Sequence, residues 1–269
     1  MVKDITLGQY FPGNSPIHRL DPRTKLLLAL AFIVLTFLVK ELVMFVPVIL
    51  FVGAVVFIAR LPLSYLLKSL KPMRFLIILM LLFNLFFVSS GRVLFEWKFI
   101  KLTTGGIEQS IFIVLRLLLL VSGTSLLTLT TTPVALTDGL ERMLSPLAKI
   151  GFPAHDMAMM MTIALRFIPT LLEETERIIK AQTARGADFE SGNIIKRARC
   201  MIPILVPLFV SSFRRADELA IAMESRCYHG GEGRTKMKVL KYSVSDLIAV
   251  LIMAALIAGT VVLQSVLFA

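Results

Sequence analysis

Two arginines carry most of the chemistry this sequence offers. Arg185 stands between Ala184 and Gly186, and Arg226 between Ser225 and Cys227. Each closes a long, partly charged stretch, and small neighbours let a helix end approach another backbone closely. A guanidinium presents five N–H donors in a planar fork and binds carboxylates or carbonyls in pairs. A cation also complements the carbonyl end of a helix. The chemistry expected is recognition of a groove on a partner, not bond-making. The simpler alternative is a C-cap bearing a surface arginine.

Other chemistries find little support. His18, His155 and His229 are far apart, and neither HExxH nor CxxC occurs, so no metal site is expected. Cys200 and Cys227 form no ligand or disulfide pattern and read as small, semi-buried residues. No GxxxxGK[ST] occurs. Gly230-Gly231-Glu232-Gly233-Arg234 lacks the lysine and the strand–loop–helix setting, and reads as a flexible linker. DxxxD and DDxxD are also missing. The chain is expected to be no enzyme, to hold no cofactor and to leave ATP hydrolysis to others.

The elements around these arginines belong to a membrane protein. Hydrophobic residues make up 57%, mean hydropathy is +0.82 and charged residues are 17%, against about 25% in soluble domains. The net charge of +11 is scattered over helix ends and loops, as the positive-inside rule places it. Nucleic acid is not an expected partner. Residues 1–23 contain no apolar core, so the N-terminus reads as a polar arm, not a signal peptide.

Five apolar runs follow: Leu26–Val39, Leu42–Ala59, Phe75–Val88, Ile107–Leu129 and Val244–Leu267. The spacing predicts an all-α membrane protein with about five transmembrane helices. Asp21 and Pro22 suit the cap and first position of the first helix. Residues 60–74 read as a basic loop, and residues 89–106 as a loop with a turn at Gly105-Gly106. Arg116, deep in the fourth run, is expected to contact a partner or an internal carboxylate, or to pair within the bundle. Asn84 is expected to bond between helices.

The chain changes character at Pro133. Thr130–Ser243 holds 16 Lys/Arg and 12 Asp/Glu, whereas the preceding 129 residues hold 13 and 5. This divides it into an arm with four spans (1–129), a cytoplasmic coupling-helix region (130–243) and a last span (244–269). Pro133–Lys149 reads as a short helix. Asp156–Ala184 and Ile194–Met223 read as long amphipathic helices. Glu173–Arg177 and Glu176–Lys180 have the favourable i,i+4 order, and Pro169 is expected to bend or break the first helix. The apolar stretch 201–213 is short for a crossing, and fits a membrane-surface helix or one buried against others.

The sequence resembles the transmembrane T components of energy-coupling-factor (ECF) vitamin and metal transporters, over essentially its whole length. The residues carrying the resemblance are Arg19-Leu20-Asp21-Pro22-Arg23-Thr24-Lys25, the triplet Ala184-Arg185-Gly186, and the run from Ser225-Arg226-Cys227 to Thr235. The resemblance implies a multi-pass protein of a prokaryotic cell membrane. Its implied partners are two cytoplasmic ABC ATPase subunits and one small substrate-binding S component. Arg185 and Arg226 would dock in one ATPase each. Met157, Met159, Met160, Met161, Leu205, Leu208 and Phe209 are candidates for the platform under the S component, since methionine adapts to several shapes. The second triplet departs from Ala-Arg-Gly, and the expectation is that its small residues preserve the role. A substrate-conducting permease subunit of a conventional ABC transporter and a non-transport membrane scaffold are the alternatives.

Overall fold

The structure is a computed structural model, and it describes residues 10–87, 92–97, 100–187, 189, 194–230 and 239–268. It is an all-α, multi-helical membrane protein apart from one short hairpin. Helix α1 is Pro22–Leu38, and α2 (Phe45–Ala59) continues a 3-10 turn at Leu42–Met44. Then come α3 (Leu63–Leu70), α4 (Arg74–Phe87), β1 (Val93–Trp97), β2 (Ile100–Thr103) and α5 (Thr104–Thr130). Helices α6 (Pro133–Leu144), α7 (Ala154–Ala184), α8 (Ile194–Glu224) and α9 (Val244–Phe268) complete the chain. It divides into two compact units, one of Gly8–Gly139 with Leu240–Ala269 and one containing Leu140–Val239.

In the first unit α5 is the hub, packing on α1, α2, α3 and α4, while α9 lies against α1 and α2. The core contains Phe32, Leu35, Met44, Phe45, Val48, Leu119 and Met253. Among the described residues three helical stretches are long and apolar enough to cross a membrane: Leu42–Ala59, Thr104–Thr130 and Val244–Val266. Leu30, Phe37, Leu50, Phe57, Phe75 and Val262 point outward, which costs nothing when the surrounding medium is lipid.

Helix α5 reaches α1 closely at Gly123, where an added Cβ would stand 2.5 Å from the Phe32 ring. Gly123→Ala is therefore expected to destabilise the bundle by about 1–3 kcal/mol, the usual cost of overpacking. A lowered midpoint of thermal unfolding in detergent, restored by adding Phe32→Leu, checks this.

Several sequence expectations are corrected here. The basic 60–74 segment is not a plain loop, because Leu63–Leu70 is a helix that buries Leu66. Gly105-Gly106 is not a turn. Thr103 caps α5, its hydroxyl accepting from the Gly106 N–H at 3.2 Å, and the glycines form the first helical turn. The preceding segment is an antiparallel hairpin pairing Val93 with Thr103 and Trp97 with Ile100. Asn84 donates to the Met80 carbonyl of its own helix at 2.8 Å. Arg116 pairs within the bundle. It donates to the Val39 carbonyl at 2.6 Å, at the C-cap of α1, and lies over the rings of Phe112 and Phe37. Its partners are a helix end and two π faces, not a carboxylate.

The Arg19–Lys25 motif folds into a polar knot. The Asp21 carboxylate caps α1 by accepting from the Arg23 N–H at 2.9 Å, and Pro22 follows it. Asp246, at the start of α9, accepts from the Asp21 N–H at 2.8 Å and from the Ser243 N–H at 2.7 Å. Arg23 donates to the Leu240 carbonyl at 3.0 Å and lies over the Tyr242 ring. The Lys25 ammonium donates to the carbonyls of Thr130 at 2.8 Å and His18 at 3.1 Å. His18 is itself held between the Ser15 hydroxyl and the Phe11 carbonyl. The motif thus ties the arm, the start of α1, the end of α5 and the start of α9 together.

Candidate coupling site

The second unit is built on α7 and α8. Helix α7 begins after Gly151-Phe152-Pro153 and runs unbroken through Pro169; α8 runs unbroken through Pro203 and Pro207. None of these prolines ends its helix. Of the two expectations for Pro169, to bend or to break α7, the break does not occur: the turns on either side carry the helix past it.

Both helices end in the same way. At the end of α7 the Ala187 N–H bonds the Gln182 carbonyl at 3.0 Å, and the Gly186 N–H bonds the Thr183 carbonyl at 2.9 Å. Gly186 has φ +88°. At the end of α8 the Tyr228 N–H bonds the Met223 carbonyl at 3.0 Å, and the Cys227 N–H bonds the Glu224 carbonyl at 2.8 Å. Cys227 has φ +55°. Each is a Schellman motif, with the left-handed residue immediately after the cap. Arg185 and Arg226 occupy the same cap position in the two ends, so the unlike triplets Ala-Arg-Gly and Ser-Arg-Cys take one backbone shape. All six triplet residues are exposed. Among the described residues neither guanidinium enters an ion pair.

Cys227 is exposed, not semi-buried. It holds a conformation that glycine adopts without penalty and other residues adopt at about 1–2 kcal/mol. Cys227→Gly is expected to strengthen the end of α8 by about 1 kcal/mol, read as slower amide exchange at Cys227 and Tyr228. Faster exchange would contradict the strain assigned to this residue.

Three contacts fix the direction of the pair. The Gln182 amide reaches the Pro203 carbonyl at 3.5 Å, Glu174 pairs with Arg215 at 3.6 Å, and the Tyr228 hydroxyl donates to the Met159 sulfur at 2.9 Å. Residue numbers rise on one helix as they fall on the other, so α7 and α8 form an antiparallel hairpin. Arg185 and Arg226 close its opposite ends. At 1.5 Å of rise per residue they stand roughly 35–40 Å apart along α7.

Met157, Met160, Met161, Leu205 and Phe209 are exposed, while Met159 and Leu208 are half-buried. The middle of α8 is not buried against other helices of its unit. Met201, Ile202, Val206, Val210 and Phe213 are exposed too, and Ile204 alone of this stretch is buried. Glu174 forms a cross-helix ion pair, whereas the i,i+4 pairs of Glu173 and Glu176 do not form among the described residues. His155 bonds Glu141 at 3.0 Å, and His229 is exposed. Gly231 to Thr235 lie outside the described residues, which leaves the glycine-rich linker expectation there. The Tyr228–Met159 contact escaped the sequence reading; the tyrosine directly after the triplet was its only signal.

Among the described residues no three His, Cys, Asp or Glu side chains gather as metal ligands. The fold defines a multi-pass membrane protein with a paired-helix unit ending in two exposed arginines. A family model described as a cobalt transport protein matches residues 13–237. The energy-coupling factor transporter transmembrane protein EcfT of Thermosediminibacter oceani is 53% identical over 260 residues, covering 97% of this chain and 98% of the relative. The protein of that description from Acidaminococcus fermentans is 56% identical over 256 residues, 95% of each chain. The one from Bacillus subtilis is 46% identical over 260 residues, 96% of this chain and 98% of the relative. This chain belongs to the family of energy-coupling factor transporter transmembrane proteins.

Proposed function

We propose that Arg185 and Arg226 are the points at which this chain takes up motion from two cytoplasmic ABC ATPase subunits. The chain is the transmembrane coupling subunit of an ECF-type ABC transporter. It is non-catalytic and resides in the cytoplasmic membrane as a multi-pass protein. The motion passes to a small membrane S component that binds a vitamin or similar small molecule.

The observation that carries this proposal is the pair of matching helix ends at opposite ends of one hairpin. A separation of roughly 35–40 Å is too large for one binding groove and suits two subunits. When ATP draws two ATPases together, the hairpin ends are carried with them. The exposed apolar faces of α7 and α8, with Met157, Met159, Met160, Met161, Leu205, Leu208 and Phe209, are the proposed seat of the S component. The five proposed spans are α1, α2, α4, α5 and α9, with residues 19–25, 60–74 and 130–243 on the cytoplasmic side. This keeps the strongly basic stretches on one face of the membrane. The regions 1–129, 130–243 and 244–269 then serve as anchor, transmission and final anchor.

A conventional permease subunit would carry its own substrate path and one coupling helix; a scaffold would need no ATPase. Affinity purification of this chain from its native membranes separates the three. Two ATPases and a small hydrophobic protein are expected to co-purify. Substrate bound to this chain without an S component would favour the permease, and recovery alone would favour the scaffold.

A further inference from the structure

We propose that the helix bundle holds one anionic phospholipid, its acyl chain in a groove between α1, α2, α5 and α9 and its headgroup at Arg60. The groove encloses about 320 Å³ and is lined by residues such as Leu28, Phe51, Val55, Leu127 and Ile252. Among the described residues its polar lining is Lys25 and Thr130, both at one end. That is where α1 begins and α2 and α5 end, so this end lies at a membrane surface. Along α1 the lining runs from Lys25 to Phe32, roughly 10 Å, which fits within one leaflet of a hydrocarbon core about 30 Å thick.

A second, more polar cleft of about 460 Å³ adjoins it, and Ile58 lines both. Arg60 borders this cleft together with Gly13, Asn14, Ser15 and Pro16 of the arm. The apolar groove thus shares a wall at Ile58 with a cleft where Asn14, Ser15 and Arg60 bring polar groups beside it, the arrangement of a tail and its headgroup. Lys25 cannot take the headgroup readily, since its ammonium is committed to the Thr130 and His18 carbonyls. Arg60 is exposed, and residues 60–74 hold Arg60, Lys68, Lys71 and Arg74 with no acid. Arg60 also sits at φ +52° just past the end of α2, where glycine would cap more cheaply. Backbone bonds from the Arg60 N–H to the Phe57 carbonyl and from the Leu61 N–H to the Val56 carbonyl impose that conformation. A row of basic residues beside a membrane helix attracts anionic lipid specifically.

The test is native mass spectrometry of the full-length, delipidated chain titrated with phosphatidylglycerol. Phosphatidylcholine with the same acyl chains and free glycerol phosphate serve as comparisons. One equivalent of phosphatidylglycerol is expected to bind at least tenfold more tightly than phosphatidylcholine, with no displacement by glycerol phosphate. Arg60→Gln is expected to erase the preference between the two lipids. Ala54→Phe or Ala249→Phe, each filling the groove, is expected to abolish the retained equivalent with thermal unfolding unchanged. Equal binding of the two lipids by the unaltered chain would overturn the headgroup assignment. Displacement by glycerol phosphate, or retained lipid in folded groove-filling variants, would overturn the groove. Neither result depends on ATPase binding, so failure here and failure of the coupling role are distinguishable.

Discussion

The Arg185→Ala/Arg226→Ala double variant is expected to lose ATP-driven uptake altogether, while the S component still binds its substrate. Truncating one partner of a buried, hydrogen-bonded charge contact costs about 2–5 kcal/mol, so each single variant should weaken its ATPase contact by roughly 30-fold or more. Loss at two separate seats leaves neither ATPase coupled. The helix ends themselves should survive, because their caps are backbone bonds from Gly186, Ala187, Cys227 and Tyr228. Lysine should rescue poorly, since a point ammonium lacks the planar fork. Uptake in reconstituted vesicles, with co-purification of the ATPases, provides the measurement. Normal uptake by the double variant would remove both arginines from the mechanism and leave them as surface caps.

The sequence made the two arginine-bearing helix ends legible because capping is local. A small residue, an arginine and a left-handed residue lie within three positions, so their spacing can be read directly. It did not reveal that Ser-Arg-Cys adopts the shape of Ala-Arg-Gly, since a cysteine at φ +55° is imposed by the Schellman bonds against its own preference. Hydropathy located the apolar runs because each is continuous. It misread residues 60–74, where Leu63, Leu66 and Leu67 are spaced as one face of a short helix between charges. The antiparallel sense of α7 and α8, and with it the separation of the arginines, rests on pairs such as Glu174–Arg215 and Met159–Tyr228. Such long-range pairs leave no periodic trace in a single chain.

The polar knot at the start of α1 was the least legible part, because its partners are 225 residues apart, and it carries the largest expected stability effect. Asp246 is 3% exposed and accepts from two backbone N–H groups. Asp246→Ala leaves both N–H groups without their acceptor, and is expected to cost about 1–3 kcal/mol for each. Asp246→Asn should cost less, since its amide oxygen still accepts one of the two bonds. Thermal unfolding in detergent measures both. An Asp246→Ala variant as stable as the unaltered chain would mean that the knot does not hold α9 to α1.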